Sequence, residues 1–283
     1  MTEAPPLPRN ERAAISLCGA ELSYGRRVLW RELDLEVRPG EFLAVLGPNG
    51  SGKTSLLKVL LGQQELSAGT AAIGGGKPGT AKGRIGYIPQ QRPFDPGIPL
   101  RGRDLVGLGL DGHHWGVGFN GRRRRRQRVQ VALDGVGADS FADGPVGLLS
   151  GGEQQRLRVA QALVSDPEVL LCDEPLLSLD IAHQAIVSEL IDRRRREHRT
   201  AVLFITHEIN PVLPLVDRVL YLANGKFRMG TPEQVMTRET LSELYGTPVE
   251  VLRIHGQIFV VGTNGALGAE QHHMTEPQFD EGA

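Results

Sequence analysis

Phe42-Leu43-Ala44-Val45-Leu46 runs straight into Gly47-Pro48-Asn49-Gly50-Ser51-Gly52-Lys53-Thr54, and the join decides the fold. A short, unbroken apolar run bounded by turn residues reads as a buried strand. The residues after it fit G-x-x-x-x-G-K-[ST], and a helical pattern of apolar positions begins near Gly52 and runs to residue 60. Strand, Gly-rich loop and helix in that order form a phosphate cradle. The glycines let the backbone wrap close to an anion so that successive N–H groups point at oxygen atoms. The helix N-terminus adds its positive end. Lys53 is placed to reach the β- and γ-phosphates as a point charge, and the Thr54 hydroxyl to ligate Mg²⁺.

This combination is that of a P-loop NTPase, without saying which kind. Outward from it, strands are expected at residues 14–22 and 28–37, with a turn at Tyr24-Gly25-Arg26-Arg27 between them. Two more are expected at residues 70–73 and 84–88, joined by a Gly-rich loop. Residues 101–149 change character, with short helical patterns and a basic run, and read as an inserted, mostly helical unit. Beyond it a helix over residues 151–164, a strand over 169–172, a helix over 181–196 and a strand over 201–205 alternate as in a parallel α/β sheet. Further strands are expected at residues 218–222, 249–254 and 257–261. Residues 1–13 and 262–283 read as disordered ends, with residues 14–261 as the folded domain.

The strand over 169–172 ends in Asp173-Glu174-Pro175. At the carboxyl end of a parallel strand, acids face the ligand crevice. Asp173 would hold Mg²⁺, and Glu174 would orient and polarise an attacking water as general base.

Bulk composition narrows the class. Across 283 residues, 40% are apolar and the formal net charge is -1, so a sizeable core is affordable and general attraction to nucleic acid or a lipid surface is absent. No run approaches the ~20 apolar residues of a membrane helix, and residues 1–12 lack the apolar stretch of a signal peptide. If cargo crosses a membrane, another polypeptide supplies the channel. The two cysteines, Cys18 and Cys172, sit in apolar runs and read as reduced, buried small hydrophobes. No N-K-x-D guanine motif occurs, which disfavours a GTPase switch.

A second glycine-rich helix start follows at Leu149-Ser150-Gly151-Gly152-Glu153, continued by Gln154-Gln155-Arg156. Ser150 can cap the helix, and the glycines leave backbone free to approach an anion. One site needs one such cradle; a second, unlike one makes sense if it reaches a nucleotide held by another chain. This stretch resembles the signature motif of the ABC ATPases, with glutamate in place of the commoner glutamine at Glu153. Other parts match in family order. Tyr24 resembles the A-loop aromatic that stacks on adenine, Gln90 the Q-loop glutamine, Ser178-Leu179-Asp180 the D-loop, and His207 the switch histidine. The resemblance spans residues 14–260.

The resemblance implies an α/β ABC ATPase fold: a mixed central sheet, an antiparallel β subdomain and an inserted helical subdomain at about residues 97–160. It implies a head-to-tail homodimer sandwiching two ATPs with Mg²⁺, the Lys53 loop of one chain facing Ser150 of the other. Glu174, His207 and Gln90 would be catalytic. Thr54, Gln90 and Asp173 would hold the metal, Gln90 would link to transmembrane permease subunits, and Asp180 would signal across the interface. Residues 207–237 and 241–252 are similar to the ATPases of zinc or manganese importers, with iron-chelate importers next and a soluble non-transport ABC ATPase as the remaining alternative. The implied setting is the cytoplasmic face of a membrane, with an extracytoplasmic substrate-binding protein and no nucleic acid. Residues 91–96 and the helical insertion would meet the permease. Arg122, Arg123, Arg124, Arg125, Arg126 and Arg128 read first as a solvated helix start and secondly as a contact for lipid headgroups or the partner. His113-His114 and His272-His273 read as solvated.

Overall fold

In a computed structural model, residues 13–80, 83–90, 93–111 and 122–262 are described. The expected strand β3 (Phe42–Leu46) lies inside a six-stranded sheet of order β5-β6-β7-β3-β8-β9. The other strands of that sheet are β5 (Ile85–Ile88), β6 (Val169–Asp173), β7 (Ala201–Ile205), β8 (Arg218–Ala223) and β9 (Lys226–Gly230). The pairs from β5 to β8 are parallel, and β8–β9 is antiparallel, so the sheet is mixed. Every residue of β3, β6 and β7 is buried, which is why these strands read as unbroken apolar runs.

Alternation along β3 divides its side chains between the two faces. Leu43 and Val45 pack with Trp30, Leu56, Leu57 and Leu60, under the three-stranded antiparallel sheet β2-β1-β4 and helix α1 (Lys53–Leu60). The strands of that sheet are β1 (Ile15–Tyr24), β2 (Arg27–Val37) and β4 (Ala68–Ile73). On the other face Phe42 joins the core under the helical unit, at 5.4 Å between ring centroids from Phe204. Ala44 and Leu46 join a third cluster with Leu241, Leu244 and Val249. The helical unit comprises α2 (Gly102–Asp111), α3 (Arg122–Gly135) and α4 (Gly151–Leu163); α5 (Ile181–His198) follows β6.

Three elements differ from the sequence expectation. β9 had not been expected, although Asn224-Gly225, at φ 50 and 76, is the left-handed pair a two-residue hairpin requires. The short helices α6 (Pro232–Val235) and α7 (Arg238–Tyr245) are also outside that expectation, each opened by a threonine N-cap, Thr231 and Thr237. β10 (Val249–Ile254) and β11 (Gln257–Gly262) form a hairpin outside the central sheet. Cys172 is buried as expected, but Cys18 is exposed. The register of β1 against β2 shifts between Leu17 and Ala20, and this irregularity leaves Cys18 and Gly19 both facing out.

Candidate nucleotide-binding site

Register brings the chemistry together. Val45 of β3, Ile205 of β7 and Asp173 of β6 lie in one row across the sheet. The segments leaving that row therefore emerge side by side at the carboxyl ends of the strands: the loop from Gly47, Thr206-His207, and Glu174. Gln90 leaves β5, whose Ile88 pairs with Cys172, at the same end.

The loop is built around positions a side chain would block. At Gly47, φ is 139 and a Cβ would stand 2.0 Å from the Leu222 carbonyl oxygen. At Gly52, φ is 101 and a Cβ would stand 2.8 Å from Trp30 Nε1, so the loop rests on the buried indole. Arg27 braces it from outside, donating to the Gly50 carbonyl at 2.9 Å. Lys53 folds back along the loop and donates to the carbonyls of Gly47 and Pro48 at 2.6 and 3.1 Å. Helix α1 has Gly52 as N-cap, no side-chain cap and no acid in its first turn. Its first N–H groups and dipole are thus kept for an outside acceptor. The Ser51 hydroxyl is buried without a partner, a further donor of this kind. These features fit the phosphates of a nucleotide.

The carboxylates differ in environment. Asp173 is buried at the end of β6, and burial, then the neighbouring Glu174, raise its pKa against the opposing pull of Lys53 and a hydrogen bond from Thr54. Burial likewise lowers Lys53, while Glu174 and Asp173 support its charge. The Thr54 hydroxyl and Asp173 carboxylate are oxygen donors in contact, a set that suits hard Mg²⁺ with phosphate oxygens completing the sphere. Among the described residues no group of three or more His, Cys, Asp or Glu could hold a metal by itself.

Glu174 takes a left-handed backbone, φ 48, and its N–H donates to Ile205 at 3.0 Å. Such a conformation costs about 1–3 kcal/mol and turns the side chain away from the strand's regular alternation. Its carboxylate receives the Gln90 amide at 3.3 Å and lies 3.7 Å from His207 Nδ1. The second contact is longer than a formed hydrogen bond, and it is an ion pair when His207 is protonated. His207 holds Glu174 below the usual carboxylate range, and Glu174 holds His207 above its ordinary 6.5. Gln90, Glu174 and His207 are therefore one cluster.

The second helix start is closed. Ser150 caps α4, accepting from the Glu153 N–H at 3.3 Å, while the Glu153 carboxylate receives the Ser150 N–H and hydroxyl, each at 2.8 Å. This capping box gives the unusual glutamate a local reason, and the same bonds lower its pKa. Gln155, fully buried, donates to the Pro175 carbonyl at 2.8 Å and ties α4 to the end of the acidic strand. Gln154 accepts from the Phe94 N–H at 3.3 Å, linking α4 to the segment after Gln90. Ser178 lies at φ 63, Leu179 packs into the helical core, and Asp180 caps α5. Tyr24 ends β1 and is 48% exposed.

Trp30 and His183 are not among the residues the sequence singles out, Arg27 is read there only as part of a turn, and Gln154-Gln155 only as the continuation of the second glycine-rich helix start. The packing of Trp30 under Gly52 and of His183 over Gly152, the Arg27–Gly50 bond and the Gln155–Pro175 bond join positions distant in sequence, so no local pattern shows them. Arg123, Arg124 and Arg126 are exposed on the first turns of α3, while the Arg125 guanidinium lies over Gly107. Gln91, His113, His114, His272 and His273 lie outside the described residues.

A strand–loop–helix phosphate cradle, an acidic strand end, a switch-type histidine and a capped second glycine helix define a P-loop ATPase of the ABC type. The ABC transporter family profile matches residues 30–177. The chain is 36% identical over 233 residues to the zinc import ATP-binding protein ZnuC of Pseudomonas fluorescens Pf-5, covering 82% of this chain and 81% of that one. It is 35% identical over 251 residues to ZnuC of Pseudomonas syringae pv. syringae, covering 88% and 86%. The chain belongs to the ABC transporter family and is an ABC ATPase. Among solved structures, a transporter described as of the metal-chelate ABC type, in an inward-facing conformation, matches with TM-score 0.74 and 27% identity over 88% of this chain and 96% of that one. A dimeric, post-hydrolysis state of the ATP-binding cassette MJ0796 with ADP and phosphate matches with TM-score 0.65 and 26% identity over 77% and 98%. Among the described residues no helix is long and apolar enough to cross a membrane.

Proposed function

We propose that this ABC ATPase energises a zinc importer from the cytoplasmic face of a membrane, as a head-to-tail homodimer bound to permease subunits that are supplied with cargo by an extracytoplasmic binding protein. The observation that carries the cargo is the 36% identity to a zinc import ATP-binding protein across four-fifths of both chains. The cargo touches other subunits, so the site itself is neutral on the metal. Manganese is the next cargo by sequence. The metal-chelate type structural relative favours an iron-chelate importer as the second reading.

In the proposed reaction the α1 N-terminus and Lys53 hold the β- and γ-phosphates, and the exposed Tyr24 ring stacks on adenine. Bound Mg²⁺, held by Thr54, Asp173 and Gln90, would neutralise charge on the transferring phosphoryl group. Glu174, kept ionised by His207, accepts a proton from the attacking water. His207 then faces the γ-phosphate, and Gln90 couples this cluster to the permease. A second copy brings Leu149, Ser150, Gly151, Gly152 and Glu153 over the nucleotide, with Ser178, Leu179 and Asp180 beside them. Two apolar residues next to these segments, Leu148 at 71% and Ile181 at 86% exposed, support coverage of this face by another chain.

The test is uptake of radioactive zinc by cells lacking the gene, complemented by the wild-type or Glu174→Gln chain. Zinc uptake is expected to return with the wild type alone. Restored uptake of manganese or an iron chelate, with zinc unchanged, would replace the cargo assignment.

A further inference from the structure

We propose that His183 is a positioning residue that locks the Asp180 loop to the signature helix, so that both segments reach the partner's nucleotide as one unit. The inference rests on the dimeric reading above. Its geometry is a chain of three contacts. Asp180 caps α5 by accepting the His183 backbone N–H at 2.8 Å. The His183 imidazole then turns back, placing Nδ1 at 2.9 and 2.8 Å from the two carboxylate oxygens. An ionised carboxylate only accepts, so Nδ1 carries a proton. The opposite edge of the ring lies on the signature backbone. A Cβ built at Gly152 would stand 2.0 Å from His183 Cδ2 and 2.5 Å from Nε2.

Two consequences follow. A side chain at Gly152 would push the imidazole out of its place, independently of any nucleotide, so the link needs glycine there. The α5 cap does not depend on the ring, since the backbone N–H of residue 183 supplies it. Replacing the side chain therefore loosens the link between the two segments while leaving the helix start intact. Gln155 fixes α4 to Pro175 further along, so the link completes a path from the acidic strand end through α4 to Asp180.

The experiment compares full-length wild type, His183→Leu, which fills the space without the hydrogen bond, and His183→Asn, which can restore a donor toward Asp180. ATPase kcat, KM and Hill coefficient are measured beside the thermal midpoint and the monomer's affinity for a fluorescent ATP analogue. For His183→Leu the expected result is a kcat about tenfold lower and a reduced Hill coefficient, the scale of a misplaced rather than missing group. KM, midpoint and monomer affinity should stay close to wild type. His183→Asn should recover most of kcat. Wild-type kcat in His183→Leu, a fall in midpoint and monomer affinity alongside kcat, or no recovery with asparagine would each overturn the assignment. Failure of the dimeric reading is read separately, as non-cooperative hydrolysis by the wild-type chain.

Discussion

Helices α1 and α4 both begin on glycine-rich turns that can face phosphate, yet the two starts are finished differently. Helix α1 has no side-chain cap and no acid in its first turn, and a lysine is folded along its loop. Helix α4 carries a complete capping box, with a carboxylate bound to the N-cap serine. An uncapped helix end with a neighbouring cation is held ready for an anion within its own chain. A capped end has already met part of its hydrogen-bonding need. On the proposed dimeric reading, the lone chain builds one receptive phosphate site, and the α4 start meets a nucleotide only when a second copy brings it.

The largest effects should separate the two ends. Ser150→Arg is expected to abolish turnover and leave ATP binding by the isolated chain unchanged. Lys53→Ala is expected to lower that binding by about 10²–10³-fold, the scale of removing one donor from a preorganised anion site. Fluorescent-nucleotide titration of both variants checks this contrast, and equal binding losses would erase the distinction. Next in size, Glu174→Gln should lower the phosphate-release rate by about 10²–10⁴-fold, the range of a general base, with ATP still bound. Wild-type turnover in that variant would move the base elsewhere.

Smaller effects concern stability. Gly52→Ala forces a side chain into a left-handed position against Trp30 and should cost about 1–3 kcal/mol. Ser150→Ala removes only a cap and should cost about 1 kcal/mol. Denaturant unfolding orders them, and the reverse order would mean that the first loop is not held by the indole. The smallest effect is a titration. His207 is raised, so its contribution is full below its ordinary 6.5 and is lost as pH rises through the raised value. Glu174 is lowered, so its contribution is present above its ordinary 4.5 and is lost as pH falls through the lowered value. The pair thus stabilises most between 4.5 and 6.5. In Glu174→Gln the His207 midpoint, followed by imidazole NMR, should fall; an unchanged midpoint would break the pairing.

The sheet and the site segments were legible because their chemistry is local. A buried parallel strand must be continuously apolar, and a phosphate loop must place glycine and lysine at fixed spacing. The edge of the fold was less legible. β9 is a short, half-polar strand, and its signal, Asn224-Gly225, lies in the turn rather than in the strand. Cys18 follows from a register irregularity between paired strands, which no window along one strand contains. Trp30 beneath Gly52 and His183 over Gly152 are contacts across the fold, so sequence spacing holds no trace of them. The reason for Glu153 was local after all: an S-x-x-E pattern at a helix start is a capping box.

The central claim is that catalysis needs the α1 end of one chain and the α4 end of another. Analytical ultracentrifugation of Glu174→Gln with MgATP, with and without Ser150→Arg, tests it most directly. An ATP-dependent dimer is expected for Glu174→Gln and, for the double variant, a monomer that still binds ATP. An equally stable ATP-dependent dimer of the double variant would contradict it.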